Sequence, residues 1–281
     1  MYKIVTKREL APKLKLFEVA ASDIAAKTNP GQFVIIKLND AGERIPITLV
    51  DADKKKGTIT LVFNEVGKTT QQLGLLKQGD CIQNICGPLG NPSEIQKFGT
   101  VLCIGGGVMT APLLFQVSAL RKAGNKVIAV VGARIKDLLV FEKEMKALSD
   151  EFYVATDDGS KGFKGLDFLK DVLSKRKIDR VVAMGPVIML KTVSEMTKPL
   201  GIKTIVTLTP IMVDGMGMCG ACRVTVAGET KFGCVDGPEF DGHQVDFEEL
   251  VKRQRMFLPE ERIAALFHEK LGGINIVRCE S

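Results

Sequence analysis

Three of the seven cysteines lie close together in a short glycine-rich segment near the end of the chain. Cys219 and Cys222 are separated by two residues, and Cys234 follows after eleven more. Thiolates are soft ligands that suit iron–sulfur clusters and zinc. The glycines of the same segment would let backbone amides approach an inorganic centre closely, and amide hydrogen bonds to cluster sulfur help to set its potential. The segment therefore predicts a metal or cluster site.

A [2Fe–2S] cluster needs a fourth ligand, and Asp214 completes the pattern Asp-x4-Cys-x2-Cys-x11-Cys. A carboxylate is an unusual cluster ligand but a chemically competent one. Two alternatives stay open at this point. A zinc ion would accept the same four ligands, because zinc takes sulfur and carboxylate in a tetrahedron. Asp214 by itself is equally consistent with a turn residue before Gly215.

Three loops that follow predicted strands carry residues suited to phosphate binding. Gly105–Gly107 follows the strand VLCI and opens a helix, where backbone amides and the helix dipole can hold a pyrophosphate. The glycine triplet alone is a weak signal because it lacks the full G-x-G-x-x-G spacing. Thr156–Gly159 and Met184–Pro186 also follow predicted strands. In a parallel sheet these loops meet at the carboxyl edge, which favours a nucleotide site there.

A second anion-binding pattern lies in the first third of the chain. The segment 44–48, Arg-Ile-Pro-Ile-Thr, places a cation, a rigid turn residue and a hydroxyl on alternating strand positions. The segment 67–70, Gly-Lys-Thr-Thr, precedes Gln-Gln-Leu in the manner of a helix N-terminus. Each pattern alone is also typical of an ordinary strand or helix cap.

The elements that must position these residues change character along the chain, which predicts a mixed β and α/β protein. Residues 1–98 contain short β-rich runs separated by turns, which predict an antiparallel β-barrel. In residues 99–209, apolar strands alternate with helix-length amphipathic segments, as in a doubly wound parallel sheet. Residues 210–281 depart from this rhythm and include a possible hairpin with its turn at Ala227-Gly228, which predicts a small third domain.

Composition excludes several functional classes. The 281 residues are 45% hydrophobic and 26% charged, as expected of a folded globular chain. The formal charge is +6, but Lys and Arg are interleaved with Asp and Glu, and there is no Trp and only two Tyr. These features argue against nucleic-acid binding. No apolar stretch approaches the length of a membrane span, and no apolar run follows the first charges, so we expect a cytoplasmic protein.

The order of the motifs resembles that of the ferredoxin–NADP reductase superfamily over the whole chain. The motifs are Arg-x-Pro-x-Thr, Gly-x-x-Thr-x-x-Leu, Gly-Pro-Leu-Gly at 87–90, the glycine triplet, Met-Gly-Pro and the cysteine loop. Within the superfamily, DGMGMCGACRVTV and FGCVDGPEFDGHQVDFEEL are similar to the branch that contains two electron-transfer subunits. One is the electron-transfer subunit of dihydroorotate dehydrogenase, and the other is the small subunit of NADH-dependent ferredoxin:NADP oxidoreductase.

The resemblance implies sites for FAD, for NAD(H) and for a [2Fe–2S] cluster, and no catalytic acid–base residue. At FAD, Arg44 would bind a phosphate, Pro46, Ile47 and Thr48 would line the isoalloxazine, and Gly67, Thr69 and Thr70 would receive the pyrophosphate. The NAD(H) site would be shaped by Gly105, Gly106, Gly107, Asp157, Asp158, Gly159, Met184, Gly185 and Pro186. Further cofactor-binding residues are predicted at Asn64, Thr110, Ala133 and Arg134. The cluster ligands would be Asp214, Cys219, Cys222 and Cys234.

Two positions depart from the wider pattern. Many reductases of the superfamily have Cys before the Gly-Pro pair, where this chain has Met184, so thiol assistance at the nicotinamide is not expected. The dihydroorotate subunit normally has four cluster cysteines, whereas the first ligand position here is Asp214. The second departure favours the small subunit of the ferredoxin:NADP oxidoreductase.

The leading functional hypothesis is an enzyme subunit that moves electrons between NAD(H), FAD and a [2Fe–2S] cluster. The resemblance implies a heterodimer with a larger flavin and iron–sulfur subunit, which would handle NADP(H) and ferredoxin by electron bifurcation. The dihydroorotate dehydrogenase subunit is the first alternative, and a zinc-containing nucleotide-binding module without turnover is the second. The amphipathic segment PEERIAALFHEKLGG would either close the chain's own core or dock on a partner.

Overall fold

The computed structural model of the protein describes residues 1–40 and 42–271, with side chains described up to residue 267. Residues 272–281, which the sequence analysis assigns to the third domain, lie outside the described residues. The described chain forms a nearly closed antiparallel barrel, a mostly parallel α/β sheet, and a C-terminal region with a two-stranded hairpin. The predicted fold class is confirmed.

The barrel is a seven-stranded sheet in the order β6-β1-β2-β5-β4-β3-β7. Its strands are β1 (Tyr2–Ala11), β2 (Leu14–Ala20), β3 (Phe33–Lys37), β4 (Arg44–Asp53), β5 (Thr58–Asn64), β6 (Cys81–Ile82) and β7 (Asn84–Leu89), and its helices are α1 (Ser22–Lys27) and α2 (Lys68–Leu75). The apolar side chains of alternate strand positions fill the interior, where Phe17 and Phe63 meet edge to face at 5.1 Å.

The second sheet has the strand order β11-β10-β9-β8-β12-β13-β16. Its strands are β8 (Thr100–Gly106), β9 (Lys126–Ala133), β10 (Glu151–Thr156), β11 (Phe163–Lys164), β12 (Arg180–Met184), β13 (Thr204–Thr207) and β16 (Glu239–Asp241). The helices of this region are α3 (Thr110–Lys122), α4 (Glu142–Leu148), α5 (Leu169–Lys175) and α6 (Val187–Thr197). Both faces of the sheet are covered, so a central strand such as β8 is apolar without alternation.

The C-terminal region combines a hairpin with a strand that belongs to the second sheet. The hairpin consists of β14 (Arg223–Val226) and β15 (Glu229–Phe232), and the helices are α7 (Phe247–Gln254) and α8 (Leu258–Leu271). Ala227 and Gly228 both have positive φ angles, as a two-residue hairpin turn requires, so this predicted turn is confirmed. β16 pairs antiparallel with β13, which ties this region to the α/β sheet.

Two apolar contacts join the barrel to the rest of the chain, one to the α/β sheet and one to the cysteine loop. Ala111 of α3 is buried among Leu16, Val50 and Val62 of the barrel. On the other side, Phe33 and Ile35 of β3 pack against the cysteine loop. Among the helices of the described ranges, none is long and apolar enough to cross a membrane.

Candidate functional site

A cavity of about 190 Å³ lies between the barrel and the α/β sheet. The barrel side is lined by Pro46, Ile47 and Thr48 of β4, the residues that the resemblance implies for the flavin ring. The opposite side is formed by residues of the glycine-triplet loop, of α3, of the end of β13 and of the segment that follows β13: Val108, Met109, Pro112, Thr207, Leu208, Thr209 and Pro210. The cavity therefore places the predicted isoalloxazine residues opposite the predicted nicotinamide edge of the sheet.

The start of α2 has the features of an anion site. Gly67 precedes the helix, and a Cβ built on it would meet no atom within 4 Å, so the space above the first turn is open. The amides of Val66 and Gly67 donate to Thr70 Oγ1 at 3.1 and 3.0 Å, which fixes the first turn. Asn64 ends β5 just before this turn. These residues fit a pyrophosphate at the positive end of the helix dipole.

Glu43, which the sequence analysis did not identify, forms a hydrogen bond with Thr69, one of the residues predicted to bind FAD. Its Oε2 accepts from Thr69 Oγ1 at 2.8 Å, and its Oε1 lies 3.5 Å from Lys68 Nζ. Arg44, the next residue, is exposed and makes no ion pair within the described part of the chain. A pyrophosphate that used the Thr69 hydroxyl would therefore have to replace the Glu43 carboxylate. The only signal in the sequence was the position of Glu43 directly before Arg44.

The glycine triplet and the Met-Gly-Pro loop are neighbours in space. Met184 of β12 is in register with Gly105 of β8, and a Cβ built on Gly185 would lie 3.3 Å from the Cα of Gly106. Met189, also missed from the sequence, covers this crevice: its Cε would lie 2.4 Å from a Cβ on Gly185. The backbones of Gly106 and Gly185 therefore lie close together, and a side chain at Gly185 would be crowded by Met189.

Met184 and Pro186 flank this crevice differently. Met184 is fully buried in the core between the sheet and α3, so its side chain does not line the cavity. Pro186 is exposed at the start of α6. Thr110 is 1% exposed beside Gly105, and its hydroxyl has no hydrogen-bond partner among the described residues. A buried hydroxyl at the start of a helix is the kind of group that a bound nucleotide can satisfy.

The other predicted NAD(H) residues lie farther along the same edge. The amides of Asp157 and Asp158 donate to the carbonyls of Ala133 and Arg134 at 3.1 and 3.2 Å, which joins the loops after β10 and β9. Gly159 takes a φ of +79° directly after them. The structure therefore brings all of these residues together at the carboxyl edge of the sheet, where α/β proteins bind dinucleotides.

The cysteine loop folds around the carboxylate of Asp214. Its Oδ1 accepts from the amide of Met216 at 2.8 Å, and its Oδ2 accepts from the amide of Cys219 at 2.6 Å. The hydrogen bond from Met216 holds the pKa of Asp214 below its ordinary value. Asp214 therefore acts as a turn residue in this structure, and its role as a cluster ligand stays a prediction.

The three cysteines differ in their surroundings. Cys222 and Cys234 are 2% exposed, and their Sγ atoms lie 3.2 Å apart. Burial raises the pKa of the Cys234 thiol to about 12, and the hydrogen bond with Cys222 acts in the same direction. Cys219 is exposed and its Sγ accepts from the amide of Ala221 at 3.5 Å. Thiols with nearby amide donors fit a cluster, whose iron would replace the thiol protons.

The loop glycines fit the same site. Gly215, Gly217 and Gly220 all have positive φ angles.

No metal-binding group of three or more His, Cys, Asp or Glu side chains is present in residues 1–40 and 42–267 of this structure.

The cysteine site and the cavity share a wall. Phe33 and Met212 line the cavity and also pack against Cys222 and Cys234 in one apolar cluster. This adjacency was invisible in the sequence, because Phe33 lies nearly 200 positions before the cysteines. An electron donor in the cavity would be separated from the cysteine site by little more than these side chains.

Comparison with known proteins agrees with this arrangement. Residues 209–246 match the family described as the iron–sulfur cluster binding domain of dihydroorotate dehydrogenase B. The chain is 47% identical over 263 residues to the dihydroorotate dehydrogenase B (NAD(+)) electron transfer subunit homolog of Thermotoga maritima, covering 93% of each chain. It is 33% identical to the electron transfer subunit of Desulforamulus reducens, covering 88% of this chain and 97% of that protein.

A solved structure is similar to this chain in both fold and sequence. The chain superposes with a TM-score of 0.90 and 45% identity on a chain of the NADH-dependent reduced ferredoxin–NADP oxidoreductase, which was studied for flavin-based electron bifurcation. The match covers 96% of this chain and 98% of that chain. The protein thus belongs to the ferredoxin reductase-like family that contains the electron transfer subunits of dihydroorotate dehydrogenase B and their homologues.

Proposed function

We propose that the chain is an electron-transfer subunit that moves electrons between NAD(H), FAD and a [2Fe–2S] cluster. The observation that carries this proposal is the shared wall of Phe33 and Met212 between the cavity and the cysteine site. When bound, FAD would accept a hydride from NADH, which is two electrons and one proton, and would release the electrons one at a time to the cluster.

The barrel would hold the flavin by charge and shape. Arg44 and the open first turn of α2 supply positive charge for the pyrophosphate, and Pro46, Ile47 and Thr48 supply a mostly apolar surface for the ring. Val108 and Met109 face these residues from the glycine-triplet loop, so a nicotinamide entering there would lie against the ring. The residues orient the two rings and exclude water, and no side chain is needed as a general acid or base.

The cysteine loop would hold the cluster through Cys219, Cys222 and Cys234, with Asp214 as the fourth ligand. Ligation by Asp214 would require its carboxylate to give up or share the hydrogen bonds from the amides of Met216 and Cys219.

The domain boundaries at residues 98 and 209 and the cytoplasmic location are further predictions. The pairing of β16 with β13 supports a third domain that is attached to the sheet rather than independent of it.

We further propose a larger flavin and iron–sulfur subunit as the partner, with ferredoxin and NADP(H) reached through it. The 45% identity to the ferredoxin–NADP oxidoreductase chain supports this partner. Around the cysteine loop, Val213, Met216, Met218 and Val235 are exposed, and Met218 is 83% exposed. The apolar residues Ile263, Leu266 and Phe267 of α8 are exposed as well, which favours docking over closure of the chain's own core.

The electron transfer subunit of dihydroorotate dehydrogenase is the second candidate, because the relatives at 33% identity and the matched cluster domain carry that name. The subunit that copurifies with this chain under its native promoter separates the two candidates. A dihydroorotate-oxidising partner would favour the second candidate. A larger flavoprotein that reduces ferredoxin would favour the first.

The test of the internal electron path uses anaerobically purified protein, its visible spectrum and its EPR spectrum before and after NADH. We expect flavin bleaching followed by the signal of a reduced [2Fe–2S] cluster. Asp214→Ala should change that signal. The matched control is Asp236→Ala, because Asp236 also accepts a backbone amide, from Phe232 at 2.6 Å, but is not a predicted ligand. A colourless protein with zinc and no iron would disprove the proposal.

A further inference from the structure

Glu239 lies where three parts of the chain meet. Its Oε1 accepts from Ser93 Oγ at 2.6 Å and from Gln116 Nε2 at 3.1 Å. Ser93 belongs to the connector that follows the last barrel strand, Gln116 to α3 of the α/β sheet, and Glu239 itself to β16. One carboxyl oxygen therefore joins the flavin-binding, nucleotide-binding and cluster-binding regions.

The segment that ends at Glu239 runs from the cysteine site past the cavity. It starts after Cys234, and its Pro238 lines the cavity. Asn91, in the connector, donates its side-chain amide to the carbonyl of Val235 at 3.0 Å and its backbone amide to that of Gly237 at 2.8 Å. From the sheet side, the amide of Leu208 donates to the carbonyl of Pro238 at 2.9 Å. Hydrogen bonds from the connector and from the α/β sheet therefore hold this segment in place from two sides.

The site around the carboxyl is closely packed. A Cβ built on Gly31 would lie 2.2 Å from Ser93 Oγ and 3.3 Å from Glu239 Oε1, so only glycine fits there. The charged groups that face Glu239 are Arg180 and Glu94, which bond to each other at 2.6 Å. Burial raises the pKa of Glu239, while the hydrogen bond from Ser93 and the charge of Arg180 partly oppose this shift.

We propose that Glu239 is a positioning residue that sets the distance between the cavity and the cysteine site. The proposal rests on the proposed function, because that distance matters only if a flavin occupies the cavity and a cluster binds the cysteines. Electron transfer between two cofactors slows as they move apart, so a shift of the segment that ends at Glu239 should slow the step from the cavity to the cysteine site. The hydride step depends mainly on the barrel residues and the glycine-triplet loop that face each other across the cavity, so it should change less than the step to the cysteine site.

The experiment compares two steps in the loaded protein. Stopped-flow absorbance measures flavin reduction by NADH, and freeze-quench EPR measures reduction of the cluster. We expect Glu239→Leu to slow cluster reduction about tenfold and flavin reduction less than twofold. Glu239→Gln should stay close to the wild type, because its amide oxygen can still accept from Ser93 and Gln116. Asp241→Asn is the control on the same strand, since its carboxylate contacts Lys203 instead.

A second measurement, amide hydrogen exchange, does not require a bound cofactor and so also tests variants that lose one. Hydrogen exchange of residues 233–241 should rise in Glu239→Leu and stay unchanged in Asp241→Asn. Equal slowing of both steps, no slowing of either, or unchanged exchange in this segment would overturn the positioning role. If the wild-type protein holds neither flavin nor cluster, the proposed function fails, whereas altered exchange at residues 233–241 would still identify Glu239 as the joint between the three regions.

Discussion

The cysteine loop and the Glu239 junction both depend on a carboxyl group, but the two groups are stabilised in opposite ways. Asp214 is half-buried and accepts hydrogen bonds from two backbone amides within five positions, which lower its pKa and so favour its charged form. Burial raises the pKa of Glu239, although it receives opposing hydrogen bonds from side chains more than 120 positions away. The loop is therefore organised locally, whereas the junction exists only after the three regions have assembled.

The largest effect should come from the buried cysteine pair. Cys222→Ala removes a thiolate that the cluster cannot replace locally, so we expect complete loss of iron and of the EPR signal. The control is Cys103→Ala, because burial in β8 raises the pKa of Cys103 to about 12 and the residue lies outside the loop. Iron analysis of both variants checks the prediction. Iron retained in Cys222→Ala would mean that the loop does not hold the cluster.

A large effect on stability is expected at Gly215. It has a φ of +75°, and an added Cβ would lie 2.7 Å from Ile35 Cγ1 and 2.8 Å from Leu89 Cδ1. Gly215→Ala should lower the free energy of unfolding by about 2–4 kcal/mol through backbone strain and overpacking. Gly228→Ala is the matched control, because it has a φ of +78° in open space and should cost about 1–2 kcal/mol. Similar losses in denaturant titrations would show that the loop is not held tightly against the barrel.

The pH dependence of stability should differ between the two carboxyls of β16. Because the pKa of Glu239 is raised on folding, its stabilising contribution is present below the ordinary pKa of 4.5 and is lost as the pH rises through the folded pKa. Glu239→Gln should therefore gain free energy of unfolding relative to the wild type as the pH rises.

The contribution of Asp241 to stability should depend on pH in the opposite direction. Burial raises the pKa of Asp241, but the bonds from Lys203 and from the amide of His243 outweigh it, so the pKa is lowered overall. Its contribution is present above the ordinary pKa of 3.8 and is lost on acidification, so Asp241→Asn should approach the wild type at low pH. Thermal unfolding from about pH 2 to pH 8 measures both trends, because the Asp241 contribution is lost below pH 3.8 and the Glu239 contribution above pH 4.5. Parallel curves for the two variants would refute the contrast.

The smallest effect is expected at Ser93. Ser93→Ala removes one donor to Glu239 and should cost about 1 kcal/mol, while raising the pKa of Glu239 further. Ser149→Ala is a suitable control, because its hydroxyl bonds only to carbonyls of α4. Denaturant unfolding at two pH values measures both quantities. An unchanged pH dependence in Ser93→Ala would show that the serine does not act through Glu239.

Much of the fold could be predicted from the sequence because its determinants are local. The uninterrupted apolar runs of β8, β9 and β12 require burial on both faces, which predicts a parallel sheet between helices. Gly124 and Gly201 take positive φ angles shortly after the ends of α3 and of the turn that follows α6, where glycine commonly ends a helix. The strand-ending loops were expected to meet at one edge, and the register of Met184 with Gly105 shows that two of them do.

The parts that could not be predicted depend on which distant segments meet. The contact of Glu43 with Thr69 requires the β3–β4 loop to reach the start of α2. Met189 could be assigned to a helix face, but not to the crevice beside Gly106 and Gly185. Neither Glu43 nor Met189 belongs to a motif, so only coordinates could identify them.

The sequence by itself determined the kinds of residue that each region offers: three cysteines in a glycine-rich loop, glycines directly after buried strands, and a cation two residues before a proline in a strand. These properties follow from residue type and from neighbours within one turn or strand. Only the tertiary structure decided that Phe33 and Met212 separate the cavity from the cysteines and that Glu239 joins three regions. Such contacts arise from the packing of surfaces contributed by segments far apart in the chain, and no local pattern encodes that packing.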